Sequence, residues 1–199
     1  MQLYCTRPNC TKPINPFPQL SSATIQTAQQ KYCTTCGMPL ILCGRYLPEK
    51  LLGQGGFGAA FYARDRFTPT QRACVVKLFQ PSSQLSSQQL QVAQGLFERE
   101  AAVLEKLGNQ HPQIPDLYAF FPLVVPGQQP GSTTEFFYLV QEFIEGEDLE
   151  QRLEREGPLP EAEVKAIVMD TLKILNFVHE NGAIHRDIKP SNLMQTPVD

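Results

Sequence analysis

Apolar and polar positions alternate along the first part of the chain and recur at helical spacing further on. Segments 45–53, 59–65 and 72–79 alternate and are separated by Gly, Pro and polar residues, the pattern of an antiparallel meander. A polar connection follows, Ser82-Ser83-Gln84-Leu85-Ser86-Ser87-Gln88-Gln89. Beyond it Ala93, Phe97, Glu100, Leu104 and Leu107 recur at steps of four and three, which predicts one helix face. Two further strand-like runs, 116–125 and 135–144, flank a Pro/Gly-rich insert at 126–131 that predicts a surface loop. A long helix is predicted over 160–181, with Val164, Ile167, Val168, Thr171, Leu172, Leu175 and Val178 on one face and Gly182 just past its end. Strands followed by helices, with no internal repeat, predict an α+β fold class.

Residues 1–43 have a different texture. They are rich in Pro, Thr, Gln and Ser, poor in large aliphatics, and carry five of the six cysteines up to Cys43. A segment of this size cannot build a core alone and usually needs a metal or disulfide staple. The whole chain of 199 residues is 42% hydrophobic and 19% charged, which describes a globular protein of one to two domains. Seventeen Lys plus Arg against 20 Asp plus Glu give a formal charge of −3, which argues against electrostatically driven binding to nucleic acid or an anionic membrane. The start lacks a basic stretch followed by an apolar run, and no apolar run approaches the roughly 18 residues a membrane span needs. The expected compartment is the cytoplasm, where cysteines are more often ligands or buried thiols than disulfides.

The cysteine spacing has that character. Cys5 and Cys10 are separated by four residues and Cys33 and Cys36 by two, with twenty-two residues between the pairs. Two such short loops can each present two sulfurs to one ion about 2.3 Å away, so a zinc-ribbon-like site is expected, with unrelated cysteines or disulfides as the alternative. Gly37 after the second pair permits the tight turn that brings amides towards sulfur. Cys43 and Cys74 have no partner pattern; Cys74 lies in a strand-like run and reads as a small core residue.

Gly53-Gln54-Gly55-Gly56-Phe57-Gly58 satisfies G-x-G-x-x-G, which alone is a weak signal. A dinucleotide-binding fold would enter a helix at once, whereas residues 59–64 read as a returning strand, and a Walker loop would need Gly-Lys-Ser/Thr where Ala59 follows Gly58. What survives is a hairpin whose glycines let backbone amides approach phosphate oxygens, or a plain flexible turn. Lys77 stands in the apolar run Val75-Val76-Lys77, and Glu100 lies between Phe97 and Leu104 on the apolar face of the predicted helix. Two buried opposite charges stabilise each other, and an ammonium held this way can reach phosphates beneath the glycine loop; the alternative is a snorkelling lysine with an exposed Glu98 or Glu100.

His185-Arg186-Asp187-Ile188-Lys189-Pro190-Ser191-Asn192 is the most specific string in the chain. With the glycine loop, Lys77 and Glu100 in the right order, it resembles the eukaryotic-like protein kinases of the serine/threonine branch, from about Arg45 onwards. The resemblance implies a five-stranded small lobe with one helix over about 44–144 and the first part of a helical large lobe over about 145–199, preceded by the cysteine prefix 1–43. It implies phosphoryl transfer from ATP to Ser/Thr hydroxyls of protein substrates. Lys77 would hold the nucleotide phosphates and Glu100 would orient it; Asp187 would receive or orient the hydroxyl, Lys189 would counter the transferring phosphate, and Asn192 would bind magnesium. The backbone of Glu142 and Ile144 would hold the adenine edge, with Gln141 as gatekeeper. Asp148 would either meet the ribose or answer a helix dipole. The cysteine segment is similar to the four-cysteine prefix of some cyanobacterial kinases.

No D-F-G follows the catalytic string before Asp199. The family uses that aspartate as the principal magnesium ligand, and then an activation segment and further helices. One expectation is therefore a kinase shortened before these parts, with little or no transfer activity by itself and an apolar face exposed on the 160–181 helix. The other is a catalytically dead nucleotide- and zinc-binding interaction module. The intact catalytic string favours the first, because a dead module has no physical need of His185, Asp187, Lys189 and Asn192 together.

Overall fold

The computed structural model describes residues 1–55, 58–80, 86–127 and 131–196. The chain forms two compact units, residues Met1–Ala102 with Asp116–Phe143, and Val103–Pro115 with Ile144–Asp199. In the first, β1 (Gln2–Tyr4) and β2 (Ile14–Pro16) make a small antiparallel pair. Then come β3 (Tyr46–Gly55), β4 (Gly58–Asp65), β5 (Ala73–Phe79), helix α1 (Ser87–Leu107), β6 (Leu117–Pro126) and β7 (Thr133–Glu142). The five long strands form one antiparallel sheet in the order β3-β4-β5-β7-β6.

Strand periodicity decides what each sheet face covers. Ala59, Phe61 and Ala63 on β4, Cys74, Val76 and Leu78 on β5, and Tyr138 and Val140 on β7 share one face and one core with Leu3, Ile25, Met38, Leu40, Ile41 and Leu42 from the cysteine segment. The segment that is too polar to fold alone thus completes its core on the sheet. The opposite face carries Lys77 and Phe79, and α1 lies there, with the Phe97 ring 5.3 Å from Phe79 and 5.8 Å from Phe120. Helix α1 starts with a reciprocal cap: Ser86 Oγ accepts from the Gln89 amide at 3.3 Å, and Gln89 Oε1 accepts from the Ser86 amide at 2.9 Å.

The end of β4 is held by a buried carboxylate. Asp65 is fully buried and accepts two bonds from the Arg45 guanidinium, at 2.9 and 2.7 Å, and one from the Phe67 amide at 3.1 Å. Burial alone would push its carboxyl up, but Arg45, the Phe67 amide and Arg72 outweigh it and hold the group below the ordinary range. A depressed folded value means the stabilisation is full above the unfolded pKa of about 3.9 and is lost as pH falls through the folded value. Because Arg45 is 35% exposed, Asp65→Asn is expected to cost about 2–3 kcal/mol, below the range for a wholly buried pair. Urea unfolding at pH 7 and pH 3 checks this: the difference between variant and parent should shrink at pH 3.

In the second unit, β8 (Glu147–Asp148) leads into α2 (Leu149–Glu156), followed by α3 (Glu161–Glu180) and β9 (Met194–Gln195), which pairs with β8. Helix α3 opens behind Pro160 with Glu161 and Glu163 in its first turn, charges that suit its dipole, and closes with His179 in its last turn. Val164, Val168 and Leu172 of the predicted apolar face are exposed on it, and so is Met169, which lies outside that face.

Candidate active site and cysteine centre

In the first unit, the predicted partners meet: Lys77 Nζ lies 2.6 Å from Glu100 Oε1. Their setting differs from the buried pair expected, since the side chains are 33% and 43% exposed. The helix face turns Glu100 towards the sheet, but no described residue seals the pair from water, so it positions the ammonium more than it stabilises the fold. Register places Lys77 opposite Ala60 on β4 and Leu139 on β7. The glycine hairpin lies on the same strands, with Gly53 opposite Ala60 and Gly55 opposite Gly58. A side chain at Gly58 would overlap the Leu78 carbonyl oxygen, so the close approach of β4 to β5 requires glycine there. Gly56 lies outside the described residues.

At the far end of β7, the Glu142 amide donates to the Asp116 carbonyl at 2.9 Å and the Asp116 amide donates to Glu142 Oε2 at 3.3 Å, fixing the strand end. Gln141, opposite Val75 on the face that carries Lys77, has a buried Oε1 with no hydrogen-bond partner among the described residues. An orphan buried acceptor is uncommon and calls for a donor.

The second unit holds the catalytic string. Arg186 adopts a positive φ of 65°, and the Asp187 amide donates to His185 Nδ1 at 3.3 Å. Asn192 Nδ2 donates to the Asp187 carbonyl oxygen at 2.8 Å and to its Oδ2 at 2.9 Å, while Lys189 Nζ stands 3.1 Å from the same carboxylate. The turn Pro190–Asn192 brings the asparagine back, and β9 then anchors the loop to β8. Lys189 first, then Asn192, holds the Asp187 carboxyl below the usual range, so it is an anion at neutral pH. With its NH2 engaged, Asn192 keeps its amide oxygen as the only side-chain atom able to ligate a cation. Ile144 opens the segment that leads to β8.

Sequence reasoning left Asp148 between two roles. Its Oδ1 accepts from the Gln151 amide at 2.9 Å, so it caps α2. Periodicity does not predict helix α2, because residues 149–156 hold only two apolar positions, Leu149 and Leu153.

The four paired cysteines converge. Sγ of Cys5 and Cys36 are 3.5 Å apart, those of Cys10 and Cys33 are 3.7 Å apart, and all four lie within 4.8 Å of one another. A tetrahedral ion with bonds of about 2.3 Å has sulfur–sulfur edges of about 3.8 Å, so the spacing fits such an ion and is far from the ~2.05 Å of a disulfide. Gly37 takes a φ of 70° and its amide donates to the Cys33 carbonyl at 2.9 Å, the turn expected after the second pair. Asn15 Nδ2 donates to Cys33 Sγ at 3.6 Å, while its Oδ1 accepts from the Thr34 amide at 3.0 Å. Burial works against ionising Cys33 but is outweighed by the amides of Thr35 and Cys36 and by Asn15, which lower it to about 6. Cys43 is exposed and outside the cluster; Cys74 is buried in the core, where burial raises it to about 12.

The family description "Protein kinase domain" matches residues 46–198. The chain belongs to the protein kinase family. It is 64% identical to Serine/threonine-protein kinase F of Synechocystis sp. over 196 residues, 98% of this chain and 39% of that protein. Serine/threonine-protein kinase B of the same organism is 38% identical over 98% of this chain and 30% of its own length, so both alignments run into the cysteine segment. PknA of Nostoc sp. is 43% identical over 79% of this chain and 26% of that protein. The chain therefore spans about two fifths or less of the length of these curated relatives. A crystal structure of the Mycobacterium tuberculosis PknI kinase domain shares the fold, with a TM-score of 0.58 at 24% identity over 77% of this chain and 55% of that one. No described helix is long and apolar enough to cross a membrane.

Proposed function

We propose that this kinase-family chain supplies the ATP-binding sheet and the catalytic loop of a protein serine/threonine kinase, preceded by a structural zinc site. The observation that carries the reading is the Asp187, Lys189 and Asn192 cluster, three residue types that phosphoryl transfer needs within hydrogen-bond reach of one another. The anionic carboxylate of Asp187 orients the substrate hydroxyl and accepts its proton as the bond to phosphorus forms. Lys189 would offset charge on the transferring phosphoryl group, and Asn192 would offer its amide oxygen to magnesium, an ion that would supply neutralisation of the phosphate charge. Lys77, held by Glu100, contacts the nucleotide phosphates, and backbone amides around Gly53, Gly55, Gly56 and Gly58 cover them. Backbone groups of Glu142 and Ile144 hold the adenine edge, and the unpaired Gln141 oxygen faces the same side of the sheet as Lys77.

Zinc is the metal proposed for Cys5, Cys10, Cys33 and Cys36, supported by an all-sulfur donor set at tetrahedral spacing. Residues 1–43 are then a metal-binding prefix and 44–199 the kinase part, its small lobe ending near Ile144. The cytoplasm is the proposed compartment, in keeping with four thiols set for a metal, and the partners are ATP and a protein bearing Ser or Thr, with no nucleic acid. Titration with a fluorescent ATP analogue tests the nucleotide site. Lys77→Met should weaken binding about tenfold, the equivalent of ~1.4 kcal/mol, and Glu100→Gln by less, because water-exposed pairs are worth under about 1 kcal/mol. Unchanged affinity in Lys77→Met would remove the lysine from the site.

A further inference from the structure

The cysteine segment does more than sit beside the sheet. Its apolar residues Leu3, Ile25, Met38 and Leu42 are sealed against the sheet face opposite Lys77, in a single core with Val76, Leu78, Tyr138 and Val140. Polar bonds lock the same boundary. Thr6 and Tyr138 join hydroxyls at 2.8 Å in a buried setting, and Tyr138 pairs with Leu78 on β5, one register step from Lys77, which pairs with Leu139. Arg7 Nη2 donates to the Pro126 carbonyl at the end of β6, at 2.9 Å. From the sheet side, Arg66 reaches the carbonyls of Ile25 and Ala28 at 3.1 and 2.6 Å, and Gln71 donates to the Ser22 carbonyl. Thr6 directly follows Cys5, and Ala28 and Met38 bracket the Cys33 and Cys36 loop. Lys77 itself lies between Val76 and Leu78, both fully or almost fully buried against the segment.

We infer that the four-sulfur site and the Lys77 strand belong to one cooperative unit, so that metal in the cysteine centre tightens β5 and β7, and nucleotide and metal bind with positive coupling. The inference rests on the zinc and nucleotide readings above and adds that each site senses the other. Removing the metal frees the segment, strips its side chains from Val76, Leu78, Tyr138 and Val140, and exposes that face to water. Loss of buried apolar area loosens the strands locally, even where the other face of the sheet is untouched. Linkage then requires the reciprocal effect: nucleotide that favours the tightened sheet must slow metal release by the same factor.

The experiment is hydrogen exchange by mass spectrometry on the full chain, with zinc and after chelation, alongside native mass spectrometry for metal content. The expected result is one zinc per chain, with exchange over Ala73–Phe79 and Thr133–Glu142 rising about tenfold or more on chelation while Glu161–Glu180 stays within twofold. MgATP should slow zinc loss to a colorimetric chelator severalfold in the parent and not in Lys77→Met. Tyr138→Phe, which keeps the ring and deletes the hydroxyl, should retain one zinc but show partly raised β5 and β7 exchange with zinc bound. One bound zinc with strand exchange unchanged on chelation would overturn the coupling and leave the zinc site standing. Absence of bound zinc would overturn both. Zinc-dependent strand protection without any nucleotide effect on zinc release would leave the structural half and overturn the reciprocal one.

Discussion

Replacing Cys33 and Cys36 together by serine is expected to abolish zinc binding and to unfold residues 1–43. Both sulfurs come from one loop, so the remaining Cys5 and Cys10 hold two of four tetrahedral positions and cannot retain the ion. Structural zinc contributes roughly 10–16 kcal/mol of apparent free energy in small metal-folded peptides, as much as the whole stability of a typical domain. The segment has little else of its own: its buried residues Leu3, Ile25, Met38 and Leu42 reach a core only through the sheet. Native mass spectrometry should report one zinc in the parent and none in the variant, and protease should cut the variant within 1–43 first. A variant that keeps one zinc, or that loses it and still resists protease across that segment, would refute the structural role.

The second large effect is expected at Asp187. Asp187→Asn keeps the size and the contact with Asn192 and removes the charge that Lys189 faces at 3.1 Å. In the full-length kinase proposed above, the substrate hydroxyl should then lose its proton acceptor and its orientation, lowering kcat by about 10²–10⁴. ATP affinity should change little, because the phosphate contacts proposed above are Lys77 and the glycine hairpin. Since Lys189 and Asn192 keep the carboxyl ionised below the ordinary range, activity set by Asp187 should stay level from pH 8 down to about 5 and fall only under more acid conditions.

How much of this was visible beforehand depends on what each signal encodes. The sheet was legible because alternation at 59–65 and 72–79 reports a face directly, and Lys77 and Glu100 were legible because each occupies a position of known direction on its element. Depth was not. Periodicity says which way Glu100 points but not that the groove stays open to water, and the pair proved to be exposed by a third or more. The convergence of Cys5, Cys10, Cys33 and Cys36 was legible from spacing, since each short loop can present two sulfurs to one point. The packing of the cysteine segment on the sheet was not, because Leu3, Ile25 and Met38 are isolated apolar residues in polar surroundings and show their meaning only in three dimensions. Helix α2 was hidden for a related reason: Glu150, Glu154 and Glu156 with Arg152 and Arg155 give it stability through a cap and ion pairs such as Arg152 to Glu156 at 2.9 Å, with almost no apolar stripe.

Phosphate transfer from γ-labelled ATP tests the central reading most directly, using the full-length gene product, a general protein substrate and hydrolysis to identify the labelled amino acid. The account predicts label in phosphoserine or phosphothreonine, dependent on magnesium and lost in Asp187→Asn while nucleotide still binds. Transfer that persists in Asp187→Asn, or ATP binding with no transfer to any hydroxyl, would contradict it.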